Sequence, residues 1–196
     1  MKIAIVKYNG GNVRSVINSL KRLGVDPIYT DDACQLLSAD KVIFPGQGEA
    51  SSAMAYIRER GLDMVIRSLQ HPVLGICIGQ QLLCRHTEEG DTEGIGIFDI
   101  GVKRFIATKS DEKIPAMGWN RLKNMRSPLF DGINDGSYVY FVHSYYCPLS
   151  DNTVAETNHI VDYSAALAKD NFYATQFHPE KSGDVGERIL MNFLKL

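Results

Sequence analysis

A cysteine between two glycines is the first candidate for chemistry in this sequence. Cys77 stands in the stretch Gly75-Ile76-Cys77-Ile78-Gly79, after a short apolar run and before residues that could begin a helix. Glycines on both sides permit a sharp strand-to-helix turn, which would expose the side chain at its apex. Free N–H groups at a helix N-terminus favour the nucleophilic thiolate, and the N–H of Ile78 could bind an oxyanion. The alternative is that Cys77 is a small buried core residue.

A nucleophilic thiol needs a base, and the segment ATQFHPEKS contains a histidine close to a carboxylate. In an extended chain His178 and Glu180 point to the same side, so the carboxylate could hold the imidazole in one tautomer. Pro179 lacks an N–H and indicates that the strand ends here, at an edge of the sheet. The alternative for His178 is a surface histidine beside a turn. The other histidines are interpreted as structural, as are the remaining cysteines: Cys34, Cys84 and Cys147.

Composition narrows the class of protein. The 196 residues are 44% hydrophobic, which suits one sizeable core, and we expect a single domain over 1–196.

The formal charge is -2 and no long basic run occurs, so nucleic acid is not an expected partner. The start of the chain is too polar for a signal or spanning segment, and we expect no membrane association and a cytoplasmic location. Without a C-x-x-C pair, a zinc site or disulfide framework is disfavoured, and we expect no metal or cofactor.

The first half of the chain alternates between apolar runs and amphipathic stretches. Strands are predicted at 2–7, 26–30, 41–46 and 72–77. Helices are predicted at 11–24, 32–38, within 50–70 and at 78–86. This alternation predicts an α/β fold with a mostly parallel central sheet flanked by helices on both faces.

The second half of the chain is richer in strand patterns. Further strands are predicted at 97–107, 113–123, 137–142, 152–168 and 172–177, followed by a closing helix over 183–196. We expect these strands to extend the sheet with antiparallel pairs. Ligands of open parallel sheets bind outside the carboxyl ends of the strands, which would bring Cys77 and His178 to one edge.

Several motifs carry a resemblance to a known family. PGQG at 45–48, GICIGQQLL at 75–83 and QFHPEKS at 176–182 resemble class I glutamine amidotransferase domains, over nearly the whole chain. YNGGNVRSV at 8–16, PAMGWN at 115–120 and YFVHSYY at 140–146 resemble the glutaminase subunits of imidazole glycerol phosphate synthases. The resemblance implies the three-layer class I fold and hydrolysis of L-glutamine in histidine biosynthesis. It also implies a heterodimer in which ammonia passes through a (β/α)8 cyclase subunit.

The resemblance further implies a role for individual residues. Cys77 would be the nucleophile, His178 the general base and acid, and Glu180 the residue that orients the imidazole. The oxyanion hole would consist of Ile78 and the Gly46-Gln47 peptide, which is expected to reorient before the hole is complete. The implied substrate contacts are Gly48, Gln81, Glu89, Ser144 and Tyr145. The implied contacts with the cyclase are Asn12, Met117, Trp119, Asn120, Tyr140 and Lys181.

Two residues depart from the family pattern. Ala116 stands where a histidine is usual, and Gln47 where a small or apolar residue is commoner. Two other hypotheses remain open: a glutaminase subunit of pyridoxal phosphate, anthranilate or purine synthesis, and a partner-binding module of the same fold without activity. The GNVRSV and MGWN stretches argue against the first, and the intact Cys77, His178 and Glu180 argue against the second.

Overall fold

A computed structural model describes residues 1–10, 13–46 and 48–196 of the chain. The strands are β1 Ile3–Val6, β2 Ile28–Thr30, β3 Lys41–Phe44, β4 Val73–Ile76, β5 Cys84–Thr87, β6 Thr92–Glu93, β7 Phe98–Arg104, β8 Ala116–Arg121, β9 Tyr138–His143, β10 Tyr145–Tyr146, β11 Thr153–Asn158, β12 Asp162–Lys169 and β13 Phe172–Thr175. The helices are α1 Arg14–Arg22, α2 Ala33–Leu37, α3 Ala50–Glu59, α4 Leu62–Ser68, α5 Ile78–Leu83 and α6 Gly183–Lys195.

A seven-stranded sheet in the order β11-β12-β13-β4-β3-β1-β2 forms the centre of the molecule. The pairs from β13 to β2 are parallel, whereas β11, β12 and β13 pair in antiparallel fashion. Every residue of β1, β3 and β4 is buried, as expected for short apolar strands covered on both faces. The predicted α/β fold with a mostly parallel sheet is confirmed.

Helices cover both faces of this sheet. Ile3 and Ile5 of β1 belong to one hydrophobic cluster, with residues of α1 and α6. Ala4 and Val6 of the same strand belong to a second cluster, with residues of α2, α3, α4 and α5. Successive side chains of a strand point to opposite faces, so the two clusters are the interiors of a three-layer molecule. None of the helices in the described part of the chain is long and apolar enough to cross a membrane.

Some predicted elements differ from the observed ones. The helix expected at 78–86 ends at Leu83, and Cys84–Thr87 forms β5, which runs parallel to β7. The strand expected at 152–168 is two strands, β11 and β12, which pair with each other. Of the remaining second-half strands, β7 and β10 join β5 and β6 in a separate sheet, and β8 pairs with β9 in another. Strand pattern therefore located these segments but did not determine which sheet each one joins.

Two neighbouring strands of the central sheet lead into the candidate site. β4 and β13 are parallel, and Ile76 at the end of β4 pairs with Thr175 at the end of β13. The residues that follow, Cys77 on one chain segment and 176–178 on the other, therefore leave the sheet side by side. This placement agrees with the expected edge at the carboxyl ends of the strands.

Candidate active site

The turn at Cys77 is strained and closely packed. Cys77 has φ 53° and ψ -110°, and its N–H donates to the Thr175 carbonyl at 2.7 Å. Positive φ is uncommon for a residue with a side chain and is found where surrounding structure enforces it. A Cβ on Gly79 would overlap the carbonyl oxygen of Phe44, and a Cβ on Gly75 would lie 3.0 Å from the carbonyl oxygen of Gly79. Glycine is therefore a packing requirement at position 79, and position 75 leaves little room for a side chain.

The Cys77 side chain is less exposed than a free apex would be. It is 9% exposed, because residues of β9 and of the segment after β13 contact its sulfur. The thiol lies 3.8 Å from the carbonyl oxygen of Val142, and the Gln176 Nε2 lies 3.7 Å from the sulfur. Cys77 nevertheless lines a surface cavity, so burial does not make it inert filler.

His178 and Glu180 form a buried pair beside this turn. His178 Nδ1 lies 2.8 Å from Glu180 Oε1, and the two side chains are 2% and 3% exposed. A 3-10 turn over Pro179–Lys181 brings them together, where the sequence analysis expected the alternation of an extended strand. The backbone of His178 is held as well, since its N–H donates to the Tyr140 carbonyl at 2.9 Å. Hydrogen bonds of the ring and of the backbone of His178 therefore fix the position of the imidazole.

The charge state of His178 follows from its surroundings. Burial disfavours the imidazolium, but the charges of Cys77 and Glu180 outweigh it and raise the pKa of His178 to about 10. The Nε2 atom is buried, and the Cys77 sulfur is the group that interacts with it. A protonated Nε2 beside the nucleophile is suited to giving a proton to a group that enters the site.

The cavity in front of Cys77 gathers the predicted ligand contacts. Its volume is about 260 Å³, and Cys77 and Ile78 form part of its wall. The same wall contains all five predicted substrate contacts: Gly48, Gln81, Glu89, Ser144 and Tyr145. It also contains residues that the sequence analysis did not assign to the site: Pro115, Val142 and His143. The size suits a ligand no larger than an amino acid or a small peptide fragment.

The predicted oxyanion donors are only partly described. Ile78 is the first residue of α5, so its N–H has no acceptor within the helix. Gly46 packs directly onto this atom, since a Cβ on Gly46 would lie 2.5 Å from the Ile78 nitrogen. Gln47 lies outside the described residues. Gly48 has φ 135°, which favours glycine, and it faces the cavity.

Glu89 is the acidic residue of the cavity wall. Its Oε2 accepts a hydrogen bond from the N–H of Ala50 at 3.0 Å, at the start of α3. Burial raises the pKa of Glu89, the Ala50 N–H opposes this, and the charge of neighbouring Glu49 adds to it. The carboxylate is thus fixed in place with one oxygen already bound, while its side chain borders the cavity.

His143 is a buried structural residue of the cavity wall. Its Nδ1 lies 2.7 Å from the carbonyl oxygen of Tyr145, and its Nε2 lies 3.0 Å from the Tyr163 hydroxyl. Burial lowers the pKa of His143 to about 4, so the ring is neutral at physiological pH. Because a carbonyl can only accept, the proton is on Nδ1 and Nε2 accepts from Tyr163. His143 therefore fixes the orientation of the Tyr145 peptide.

The predicted partner contacts lie mainly on one face of the β8–β9 hairpin. Met117 is 66% and Trp119 is 56% exposed. The Trp119 ring stands edge-on to Tyr140 at 6.0 Å, and Lys181 Nζ lies 6.0 Å from the centre of the Tyr140 ring. Asn120 is not part of this face, because its side chain donates to the carbonyl of Asn158 in β11.

Two further positions were singled out in the sequence, Asn12 and Ala116. Asn12, the remaining predicted partner contact, lies outside the described residues. Ala116, the departure from the family pattern, is 5% exposed and pairs with His143 across the hairpin. A histidine is replaced here by a side chain that offers no hydrogen bond to the adjacent cavity wall.

The other cysteines differ from Cys77 in their surroundings. Cys84 and Cys147 are fully buried free thiols with sulfurs 3.6 Å apart, and burial raises the pKa of Cys84. Their interpretation as core residues is confirmed. For Cys34 that interpretation is wrong, because this residue is exposed on α2, away from the cavity.

The sequence analysis missed Gln176 although it belongs to the quoted QFHPEKS motif. Its position directly after β13 and two residues before His178 is a signal that could have identified it. Val142 and His143 lie in the quoted YFVHSYY motif, directly before the assigned Ser144 and Tyr145, and this position was a similar signal. Their contacts with the site join residues far apart along the chain, as between Val142 and Cys77, which are separated by 65 positions.

Comparison with known proteins supports the assignment of the fold and family. The family described as glutamine amidotransferase class-I matches residues 5–196. The chain is 58% identical over 196 residues to the imidazole glycerol phosphate synthase subunit HisH of Bacteroides fragilis strain YCH46, covering 100% of both chains. It is 43% identical over 198 residues to the protein of the same name from Pectobacterium atrosepticum, again covering 100% of both.

Solved structures agree on the fold. The crystal structure of a glutamine amidotransferase superposes with a TM-score of 0.74 at 21% identity, covering 98% of this chain and 97% of that one. A glutamine amidotransferase from Thermotoga maritima gives a TM-score of 0.63 at 15% identity, covering 100% of this chain and 83% of that one. At these identities the likeness concerns the fold alone. With the family match and the full-length relatives, the chain belongs to the class I glutamine amidotransferases, in the group of HisH subunits of imidazole glycerol phosphate synthase.

Proposed function

We propose that this chain hydrolyses L-glutamine to glutamate and ammonia through a thioester on Cys77, as one domain spanning 1–196. The observation that carries the proposal is the Cys77 sulfur in the wall of a small cavity, beside the buried His178–Glu180 pair. The ammonia would pass to a (β/α)8 cyclase subunit in a cytoplasmic heterodimer, which makes imidazole glycerol phosphate and AICAR in histidine biosynthesis. The name carried by the full-length relatives, a synthase subunit, supports this assignment.

The proposed reaction begins with attack by the Cys77 thiolate on the side-chain amide carbon of glutamine. The carbonyl electron pair moves to oxygen, and the resulting oxyanion is bound by the Ile78 N–H and by the Gly46-Gln47 peptide. The His178 imidazolium gives its Nε2 proton to the amide nitrogen as the carbon–nitrogen bond breaks, and ammonia leaves. The raised pKa of His178 supports this role because the proton is present at neutral pH.

The second half of the reaction releases glutamate. Neutral His178 takes a proton from water, whose oxygen attacks the thioester carbon. A second oxyanion forms in the same hole and collapses, and the Cys77 thiolate leaves. Glu180 holds the imidazole by its Nδ1 proton at 2.8 Å throughout, which keeps Nε2 directed at the reacting groups.

The cavity wall supports recognition of an amino acid. We assign the ammonium of glutamine to Glu89, the carboxylate in this wall, and its polar ends to the backbone of Gly48 and of Ser144 and Tyr145. Gln81 would complete the contact from α5. The support is their joint presence in one cavity of about 260 Å³ with the nucleophile.

The partner surface is proposed to be the exposed face of the β8–β9 hairpin. An exposed aromatic and methionine pair on a sheet face is typical of an interface anchor. The backbone carbonyl of Tyr140, a residue of this face, accepts a hydrogen bond from the backbone N–H of His178 at 2.9 Å. A single hydrogen bond therefore links the proposed interface to the proposed base. Docking there, with the cyclase's nucleotide ligand bound, is expected to raise glutaminase activity by completing the oxyanion hole.

The experiment that tests this proposal measures glutamate release by the purified chain. We expect low activity alone and a large increase on adding the cyclase subunit of the same organism with its nucleotide substrate. Cys77→Ala should abolish the activity under both conditions. No glutamate release from the unmutated chain with its partner would contradict the enzymatic proposal, and full activity of the chain alone would contradict the proposed activation.

A further inference from the structure

Gln176 is a fully buried glutamine that lies between the nucleophile and the cavity wall. It follows β13 directly, and its N–H donates to the Ala165 carbonyl of β12 at 2.8 Å, so its backbone is fixed in the sheet. At the end of its side chain, Nε2 lies 3.7 Å from the Cys77 sulfur and Oε1 lies 2.9 Å from Gln81 Nε2. The side chain therefore joins Cys77 to Gln81.

The direction of this amide is set by a backbone carbonyl. The Tyr145 carbonyl can only accept, and it accepts from the neutral His143 ring at 2.7 Å and from Gln81 Nε2 at 3.1 Å. The amide nitrogen of Gln81 thus faces Tyr145, and its second proton is directed at Gln176. That proton requires an acceptor, so Gln176 presents Oε1 to Gln81 and its own N–H donor to Cys77.

Val142 and Gln176 make polar contacts with the sulfur that have opposite effects on its protonation. The Val142 carbonyl at 3.8 Å can accept a hydrogen bond from the thiol, which favours the neutral form. The Gln176 N–H at 3.7 Å donates to sulfur, and a donor stabilises a thiolate more than a thiol. Two titratable groups also act on this sulfur, the Tyr163 hydroxyl and the His178 imidazolium, and the positive charge of His178 favours the thiolate as Gln176 does.

We propose that Gln176 is a fourth functional residue of the site, whose N–H stabilises the Cys77 thiolate and directs it toward the cavity. Its own orientation depends on the Tyr145 peptide through Gln81, so the nucleophile is coupled to the cavity wall by a continuous hydrogen-bonded chain. The meaning of this contact for catalysis rests on the proposed glutaminase function. The contact itself can be tested by thiol chemistry in the absence of glutamine.

The test is the rate at which iodoacetamide alkylates Cys77 as a function of pH, in a Cys34→Ser background that removes the exposed thiol. Gln176→Met preserves the length of the side chain and removes its N–H. We expect a profile displaced by about one pH unit to higher pH, the size of a lost hydrogen bond to a charged group, and an alkylation rate about tenfold lower wherever the rate of the unmutated protein still rises with pH. An unchanged profile would overturn the proposal.

Gln80→Met is the matched control. Gln80 is equally buried and adjacent to Gln81, but its amide nitrogen lies 3.4 Å from the Ser164 carbonyl and the Cys147 sulfur. The same substitution there should leave the Cys77 profile at the wild-type position. An equal displacement in both variants would overturn the proposal by assigning the effect to a general loss of packing.

A measurement on the unmutated protein removes any dependence on the folding of Gln176→Met. The side-chain amide protons of Gln176, observed by NMR, should shift as Cys77 titrates and should lose that transition in Cys77→Ala, while those of Gln80 should not follow it. Absence of the transition in the wild-type protein would contradict the contact. Glutaminase assays with the partner separate the two proposals. If Gln176→Met displaces the alkylation profile but the unmutated protein shows no glutaminase activity, only the proposed function is contradicted. If the unmutated protein is active and Gln176→Met has the same kcat/KM, this inference is contradicted.

Discussion

The turn that contains Cys77 and the β8–β9 hairpin beside it are built differently. On one side is the turn over residues 75–79, which begins in a central strand and is so crowded that a Cβ on Gly79 would overlap a backbone carbonyl. On the other side is the β8–β9 hairpin, a two-stranded sheet whose outer face exposes Met117 and Trp119. The difference indicates that crowding fixes the geometry of Cys77, whereas the hairpin leaves side chains exposed, as the proposed docking of a partner requires.

Replacing Cys77 should have the largest effect on activity, because it removes the proposed nucleophile from the turn. Cys77→Ala should lower glutamine hydrolysis by about 10⁴-fold or more, because the proposed thioester cannot form without the thiol. Glutamate release in the presence of the partner measures this. Cys34→Ala, on the exposed side of α2, should retain wild-type activity, and appreciable hydrolysis by Cys77→Ala would assign the nucleophile to another residue.

Filling the turn tests how crowded it is. Gly79→Ala should lower the free energy of unfolding by about 4 kcal/mol, because its Cβ would overlap the Phe44 carbonyl and the backbone must shift. Urea denaturation measures the change. Gly101→Ala in β7 is the matched control, since a Cβ there meets nothing within 4 Å and should cost less than about 0.5 kcal/mol. Equal losses in the two variants would remove the contrast between the turn and the rest of the molecule.

Neutralising Glu180 tests the buried pair that both regions contact. Glu180 helps to hold the pKa of His178 near 10, above its ordinary 6.5, so the pair stabilises the fold fully below pH 6.5 and that contribution is lost as pH rises through 10. Glu180→Gln should therefore move the alkaline limb of the kcat/KM profile to lower pH by about one to two units, and activity at pH 9 should fall about 2- to 10-fold. Glu93→Gln, at an exposed carboxylate of β6, should leave the limb in place. An alkaline limb that stays fixed in Glu180→Gln would assign it to a group other than His178.

Truncating Trp119 tests whether the exposed face of the hairpin binds the partner. Trp119→Ala should lower the affinity for the cyclase about tenfold while changing the free energy of unfolding by less than about 1 kcal/mol, since this side chain is 56% exposed. Titration calorimetry and denaturation measure the two quantities. Met64→Ala on α4, where the side chain is 66% exposed, should affect neither. If Met64→Ala weakened binding as much, the hairpin would not be the docking surface.

The predictable part of this molecule is the part specified by neighbours in sequence. The glycines that surround Cys77 and the short spacing of His178 and Glu180 are local, and the structure places all three side chains at one edge of the sheet. The alternation of apolar runs and amphipathic stretches also predicted the parallel sheet and its two helical layers. These features depend on the backbone geometry of a few consecutive residues.

The features that sequence could not supply depend on distant partners. Cys84–Thr87 directly follows a helical stretch without a glycine or proline to end it, and pairing with β7 makes it a strand. No glycine or proline marks the turn between β11 and β12, which is closed by the Asn158 side chain donating to Asp162 at 2.9 Å. The contact between Gln176 and Cys77 likewise joins residues 99 positions apart, although the position of Gln176 beside His178 was a local signal.

The Tyr145 carbonyl, which accepts from both His143 and Gln81, also bears on the kind of ligand the cavity can hold. A carbonyl oxygen has two lone pairs, and both are already used here. The neighbouring Ser144 carbonyl also accepts, from the N–H of Phe105 at 3.0 Å. A cation entering the cavity is therefore drawn to the Glu89 carboxylate rather than to these carbonyls. Under the proposed function, an amino acid should therefore place its ammonium toward Glu89, the carboxylate of this cavity wall.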